Sequence, residues 1–477
     1  MLIGNMLPMS AFCSYKEIYS RCEGVDMEQE KAKVNRITEG SIFGQLLLFF
    51  FPILFGTFFQ QLYNTADAMV VGRFVGKQAL AAVGGTTSTL INLLVGFFVG
   101  LSSGATVVIS QFYGAKKSDK VHWAVHTSIT FSVIGGIVFM LIGIIGSPFA
   151  LRAMKTPEDV LGHAMIYIRI YFLGMTANLL YNMGAGILRA VGDSKRPLYF
   201  LITSAVINVF LDVAFIVRLG MGVRGCAYAT VIAQGISAAL CLVYIIRKFD
   251  ILKLKREDFR LSFKTMGRLL GMGIPMGLQF SITAVGTIIV QGAVNAFGAV
   301  YIAGFSAAGK IQSTVSTVFV AFGATVATFV GQNRGAGRMD RVRQGVKITQ
   351  IMVFVWSAFM ILFIHFLGET LIGIFIDPSE KEVMEAAKTY FKAVSWCYPF
   401  LGSIFLYRNA LQGLGYGLVP MMGGIFELAA RAAIVSSMAG LAGYVGVCLA
   451  DPAAWLAALI PIVPYYFYRI KHLGPAR

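Results

Sequence analysis

Apolar runs of about twenty residues recur along nearly the whole chain, separated by short polar stretches. The runs are continuous and do not alternate, so they predict membrane-spanning helices and not the strands of a barrel. Twelve spans are predicted, at 42–64, 79–112, 122–146, 163–187, 197–218, 223–247, 267–295, 302–331, 346–368, 386–411, 418–440 and 442–468. The second and eighth are long enough to tilt or bend, and both are rich in glycine. Pro52 and Pro275 fall inside runs, where packed membrane helices tolerate a broken backbone hydrogen bond.

The pattern occurs twice. QFYGAKKSDKV (111–121) aligns with QNRGAGRMDRV (332–342) at a shift of 221 residues. Pro52 and Pro275, Gly192 and Gly415, and Pro197 and Pro420 pair at 223, and Gly225 and Gly446 at 221. A shift held this closely marks an internal duplication with six spans in each copy. Six is even, so both copies enter the membrane from the same side, as a parallel repeat. The expected fold is an all-α polytopic membrane protein: two parallel six-helix bundles related by pseudo-twofold symmetry. A polar tail at 1–35, within which Met27 would serve as a start, precedes an N-terminal lobe at 36–246. A basic linker at 247–266 leads to a C-terminal lobe at 267–470 and a tail at 471–477. Two such bundles can rock about a shared cavity, the plan of a secondary transporter, the alternative being a static scaffold.

Composition agrees. The chain is 57% hydrophobic and 13% charged, against about 25% charged for a soluble domain. Its mean hydropathy is +0.73. The net charge of +17 sits in alternate loops: Lys116, Lys117 and Lys120; Lys195 and Arg196; the stretch from Arg247 to Arg268; and Arg334, Arg338, Arg341, Arg343 and Lys347. The positive-inside rule then puts both termini on the cytoplasmic side of the cell membrane and accounts for the charge without nucleic acid. The six cysteines show no CxxC, and His122 and His126 have no further ligands nearby, so no disulfide or metal cluster is expected. There is no nucleophile elbow and no phosphate loop; the chain is expected to be neither an enzyme nor ATP-driven, and to need no cofactor.

Three acids sit well inside spans: Asp67, Asp212 and Glu427. A charge there is costly unless paired or hydrated, and so marks a function. Glu427 has Arg431 one turn on, and the pair can neutralise itself and lock helix packing. Asp67 and Asp212 have no such neighbour. The first helix is expected to continue through TADAMVVG, which puts Gln60, Asn64 and Asp67 on one face at i, i+4, i+7. Asn208 and Asp212 share a face of the fifth helix. Converging, the two faces could bind Na⁺ or share protons; otherwise each aspartate is protonated and hydrogen-bonded between helices. A shift of 223 puts Arg431 opposite Asn208 and Val290 opposite Asp67, so the carboxylate pair is not duplicated.

YNTADAMVVGRFVGKQALAAVG (63–84), LRAVGDSKRP (188–197), INVFLDVAFI (207–216), GVRGCAYATVIA (222–233) and QGLGYGLVP (412–420) together resemble the multidrug and toxic compound extrusion (MATE) family over about residues 36–470. The resemblance implies an exporter of bulky, often cationic or amphiphilic organic compounds, driven by inward H⁺ or Na⁺ as coupling ion. It implies a cation site in the N-terminal lobe at Asp67, Asn208, Asp212 and Thr230, with Gln60, Asn64 and Tyr167 in the substrate cavity. The fourth-helix asparagines Asn178 and Asn182 match the family less clearly. The resemblance is to the prokaryotic branch with its cation site in the N-terminal lobe; another branch uses a glutamate on the seventh helix and an aspartate on the tenth, which are missing here, since 267–295 and 386–411 hold no acid. Expected partners are small organic substrates and membrane lipid, with no nucleic acid and no ATP, for a protein working as a monomer. A lipid-linked oligosaccharide flippase or polysaccharide exporter of the same superfamily is the alternative; it would be expected to carry cavity arginines or lysines for phosphate.

Overall fold

The computed structural model describes residues 37–84, 86–154, 156–248, 262–377 and 379–473. The tail at 1–35 and most of the linker at 247–266 lie outside them. Helices fill the described chain: α1 (Ile42–Phe74), α2 (Lys77–Gly84), α3 (Thr86–Gly114), α4 (Ser118–Ala153), α5 (Glu158–Leu173), α6 (Met175–Ala190), α7 (Lys195–Asp212) and α8 (Val223–Lys248) in the first lobe. The second holds α9 (Phe263–Asn295), α10 (Ala299–Gly335), α11 (Met339–Gly373), α12 (Lys381–Val394), α13 (Tyr398–Gly413), α14 (Leu418–Cys448) and α15 (Ala450–His472).

Most helices outrun the predicted spans, because apolarity marks only the part inside the hydrocarbon while capped polar turns extend it. α1 passes Asp67 to reach Phe74, and α9 starts at Phe263, inside the expected linker. Ten helices are long and apolar enough to cross a membrane, and α5 and α6, bent by 50°, make an eleventh span. The twelfth is its repeat. Glu158 and Lys381, Met175 and Tyr398, and Ala190 and Gly413 bound the two broken helices, each pair 223 apart. The breaks come at Gly174 and at a single turn of 3₁₀ helix, Ser395–Cys397. The expected second span is described as α2 and α3, on either side of residue 85, and the eighth, α10, runs unbroken for 37 residues. α14 is two helices joined at Gly443, whose φ of 59° ends the eleventh span and starts the twelfth at Tyr444. The duplication reaches individual torsions. Positive φ recurs at Gly76 and Gly298, at Gly192 and Gly415, at Gly222 and Gly443, and at Lys116 opposite Gly337.

The lobes exchange helix halves. Leu46, Phe49, Phe50 and Ile53 at the start of α1 join the C-lobe core, where Phe50 stacks on Phe322 at 4.2 Å. Further along, Val71 packs in the N-lobe against Tyr167 and Cys226. α9 mirrors this: Leu269, Met272 and Met276 join an N-lobe core, Val290 and Val294 the C-lobe core. The lobes meet where α3 crosses α9, with Gly100 against Gly277 and Gly104 against Gly273. Small residues four apart let two backbones touch, the usual device for tight membrane helix pairs. At the basic end Gln111 Nε2 donates to Gly413 O and Gln332 Nε2 to Ala190 O, both at 2.7 Å. These are one contact made twice, each lobe reaching the last carbonyls of the other's broken helix. Arg341 pins the chain before α1 by donating to Ile37 O and Gly40 O.

A Cβ at Gly104 would stand 2.5 Å from Gly273 Cα, and backbone cannot rotate away. Gly104→Val should therefore lower stability by about 1–3 kcal/mol or more, read as a fall in melting temperature in detergent. Gly146→Ala, which faces open space on α4, should leave it unchanged.

Candidate functional site: a carboxylate cluster in the N-terminal lobe

Asp67 is carried by α1, and Asn208 and Asp212 by the last turn and a half of α7. Asp212 ends the α-helical ladder, and a π-helical turn, Val213–Arg218, follows at once. Such turns often mark functional positions, since the extra residue re-aims the side chains beside it. Thr230 comes from α8. The structure brings these four together: Asn208 and Asp212 are wholly buried, and Asp67 and Thr230 nearly so. Thr230 Oγ1 lies 3.4 Å from Asp67 Oδ2 and 2.9 Å from Cys226 O, so its one proton is shared between two acceptors.

Five polar atoms in this cluster make no hydrogen bond: Asp67 Oδ1, both Asp212 oxygens, and both ends of the Asn208 amide. Buried polar groups are nearly always satisfied, so orphans gathered at one point mark a place made for something else. No cation side chain pairs with either carboxylate among the described residues. The donor set is two carboxylates, an amide oxygen and a hydroxyl, all hard oxygens, which fits a small hard cation or a shared proton.

Sequence reasoning missed two members. Cys226, one turn before Thr230, puts its sulfur within 4.8 Å of carboxylate oxygens of both aspartates. Tyr63, one turn before Asp67, has a buried hydroxyl beside Asp67 and Thr230. Cys226 is four residues from Thr230, so helical spacing alone could have found it.

The residues expected in the substrate cavity lie outside this cluster of four. Gln60 and Asn64 are exposed, so the polar face of α1 is buried only at Asp67. Tyr167 is buried in the apolar cluster with Val71, Ile216 and Cys226, next to the carboxylates. Asn178 and Asn182 bond one another on α6, Nδ2 to Oδ1 at 2.9 Å, and Asn182 O accepts from Ser102 of α3.

The C-terminal lobe fills the equivalent place differently. Glu427 contacts Arg431, at 3.5 Å, and also Arg408 of α13. Arg431 Nε donates to Asp451 Oδ1 at 2.9 Å. Asp451 is thus a fourth interior acid, where three were expected. It falls inside the predicted twelfth span, and a backbone break at Leu449 puts it in the first turn of α15. The repeat sets Arg431 opposite Asn208, 223 residues apart, and Asp451 opposite Thr230, 221 apart. Two carboxylates here meet two guanidiniums, and Gly286 leaves the room: a Cβ there would sit 3.0 Å from Arg431 Nη1.

Removing one partner of a buried pair strands the other. Glu427→Ala should cost about 3–5 kcal/mol in an unfolding titration by leaving Arg408 unpaired. Replacing both, Arg408→Met with Glu427→Leu, should recover most of it.

Comparison with known proteins agrees with this architecture. The sequence model of the MatE family matches residues 52–214 and 275–435, one match in each copy. The chain is similar to the probable multidrug resistance protein YoeA of Bacillus subtilis, 29% identical over 93% of this chain and 97% of that one. It is 30% identical to the probable multidrug resistance protein YpnP of the same organism, over 80% and 85% of the two chains. A solved outward-facing MATE transporter superimposes on 92% of the chain with a TM-score of 0.86 at 21% identity, covering 98% of that structure. A match across both halves of the duplication, with twelve membrane helices in the same arrangement, leaves one conclusion: the chain belongs to the MatE family of membrane transporters.

Proposed function

We propose that this protein exports bulky, cationic or amphiphilic organic compounds from the cell by antiport, with H⁺ or Na⁺ entering in exchange at Asp67, Asn208, Asp212 and Thr230. The observation that carries this reading is the one-sided cluster: two buried carboxylates with no cationic partner among the described residues in one lobe, and a self-neutralised network at the equivalent place in the other. The relatives' names, multidrug resistance proteins, supply the class of cargo.

The basic end of the bundle faces the cytoplasm of a cell whose plasma membrane holds the protein. In this conformation the glycine contacts of α3 and α9 and the hydrogen bonds of Gln111 and Gln332 hold the lobes together at that end. An arriving cation supplies the positive charge that Asp67 and Asp212 lack. α1 can transmit the event, because one half of it packs on each lobe. The cation drives the exchange only through its different affinity for the two states. Thr230 offers its hydroxyl oxygen to the ion once its proton is committed to Cys226 O.

Asp212→Asn should abolish ethidium efflux from an efflux-deficient host under both imposed H⁺ and imposed Na⁺ gradients, while the protein still inserts and expresses. The gradient that drives the unsubstituted protein names the coupling ion. Efflux that survives the substitution would sink the proposal. Separately, Gln111→Leu with Gln332→Leu removes two hydrogen bonds of about 1 kcal/mol each. Labelling of a cysteine at Ser110, buried against Gly331 in this state, should then quicken by roughly tenfold or more.

A further inference from the structure

The sulfur of Cys226 changes what the N-lobe cluster can hold. Sodium and protons need only the hard oxygens of Asp67, Asn208, Asp212 and Thr230. A thiol among them adds a soft ligand, and soft ligands select a different class of ion. One oxygen from each aspartate and the Cys226 sulfur lie within 4.8 Å of one another. A tetrahedral ion with bonds of about 2.0–2.3 Å holds its ligands roughly 3.5 Å apart, so a closure of about an ångström completes three corners. Asn208 Oδ1, buried and without a hydrogen bond one turn before Asp212, is the candidate for the fourth. Both Asp212 oxygens are buried too, and the bond that Thr230 makes to Asp67 is long, at 3.4 Å, so little opposes the closure.

We infer that Asp67, Asp212 and Cys226 form a site for a thiophilic divalent cation of the zinc and cadmium class, which competes with the coupling ion and arrests exchange. Binding converts the thiol to a thiolate and releases its proton, leaving a dication held by three negative ligands. A dication held there is slow to leave, and α1 stays tied to α7 and α8. Only the effect on transport rests on the coupling role proposed above; the binding itself needs only the geometry.

The test uses full-length protein that keeps Cys226 alone, with Cys13, Cys22, Cys241, Cys397 and Cys448 replaced by serine, and with ethidium efflux confirmed. Purified protein is titrated with cadmium chloride while the thiolate-to-cadmium absorption band is followed. One equivalent of cadmium should raise the band, and Cys226→Ser should abolish it. Asp212→Asn should weaken binding by at least tenfold, since losing even an outer-shell partner costs a metal site about 10–100-fold. In proteoliposomes cadmium should slow efflux by the Cys226 protein and leave Cys226→Ser untouched. No band, or a band of unchanged affinity in Asp212→Asn, overturns the inference whatever transport does. A proper band in a protein whose efflux survives Asp212→Asn overturns the coupling role and leaves the metal site standing.

Discussion

A carboxylate between membrane helices has to be neutralised, and the two lobes answer that demand in opposite ways. Desolvating a charge in hydrocarbon costs several kcal/mol unless a partner is supplied. The C-terminal lobe supplies it from its own chain: Arg408 and Arg431 meet Glu427 and Asp451. Among the described residues the N-terminal lobe offers Asp67 and Asp212 no cationic side chain, and under the proposed antiport an ion from outside neutralises them. The proposed coupling follows from that asymmetry on a symmetric scaffold. Arg431 stands where Asn208 stands in the other copy, so the guanidinium occupies on one side the place left for a cation on the other.

The scaffold was legible in the sequence because its signals are long-range and redundant. Twelve apolar runs and a shift near 222 residues survive errors of several residues at any boundary. The convergence of α1 and α7 was legible too, because an aspartate in an apolar run admits few explanations; Thr230 of α8 came in only through the family resemblance. What escaped notice was local. The breaks at Gly174 and at Ser395–Cys397 leave hydropathy unchanged, so each pair of short helices reads as one span. Asp451 lay inside the predicted twelfth span and was passed over beside Asp67, Asp212 and Glu427; its pairing with Arg431 shows only in three dimensions. Arg408 was in plain view inside a span, but a search for interior acids passes over their cations. Gln60 and Asn64 show the limit of helical spacing, which fixes a shared face without saying how far along the helix that face stays buried.

The inter-lobe contacts explain how such a scaffold can move without coming apart. Glycine against glycine brings the backbones of α3 and α9 into contact, with Phe97 and Leu101 packed over Gly277 and Gly273. The hydrogen bonds of Gln111 and Gln332 end on helix-terminal carbonyls, groups that water can satisfy when the lobes separate. The exchanged halves of α1 and α9 keep each lobe tethered to the other throughout.

The fixed guanidinium of Arg431 also has a thermodynamic consequence. Each elementary charge that crosses with the membrane potential yields about 2.3 kcal/mol per 100 mV, close to a fiftyfold concentration ratio for a neutral cargo. A built-in charge never crosses and yields nothing. An exchanger with ion sites in both lobes could square that ratio in one cycle; under the antiport proposed above, a second place already filled by Arg431 sets a lower ceiling and uses fewer ions for each molecule moved.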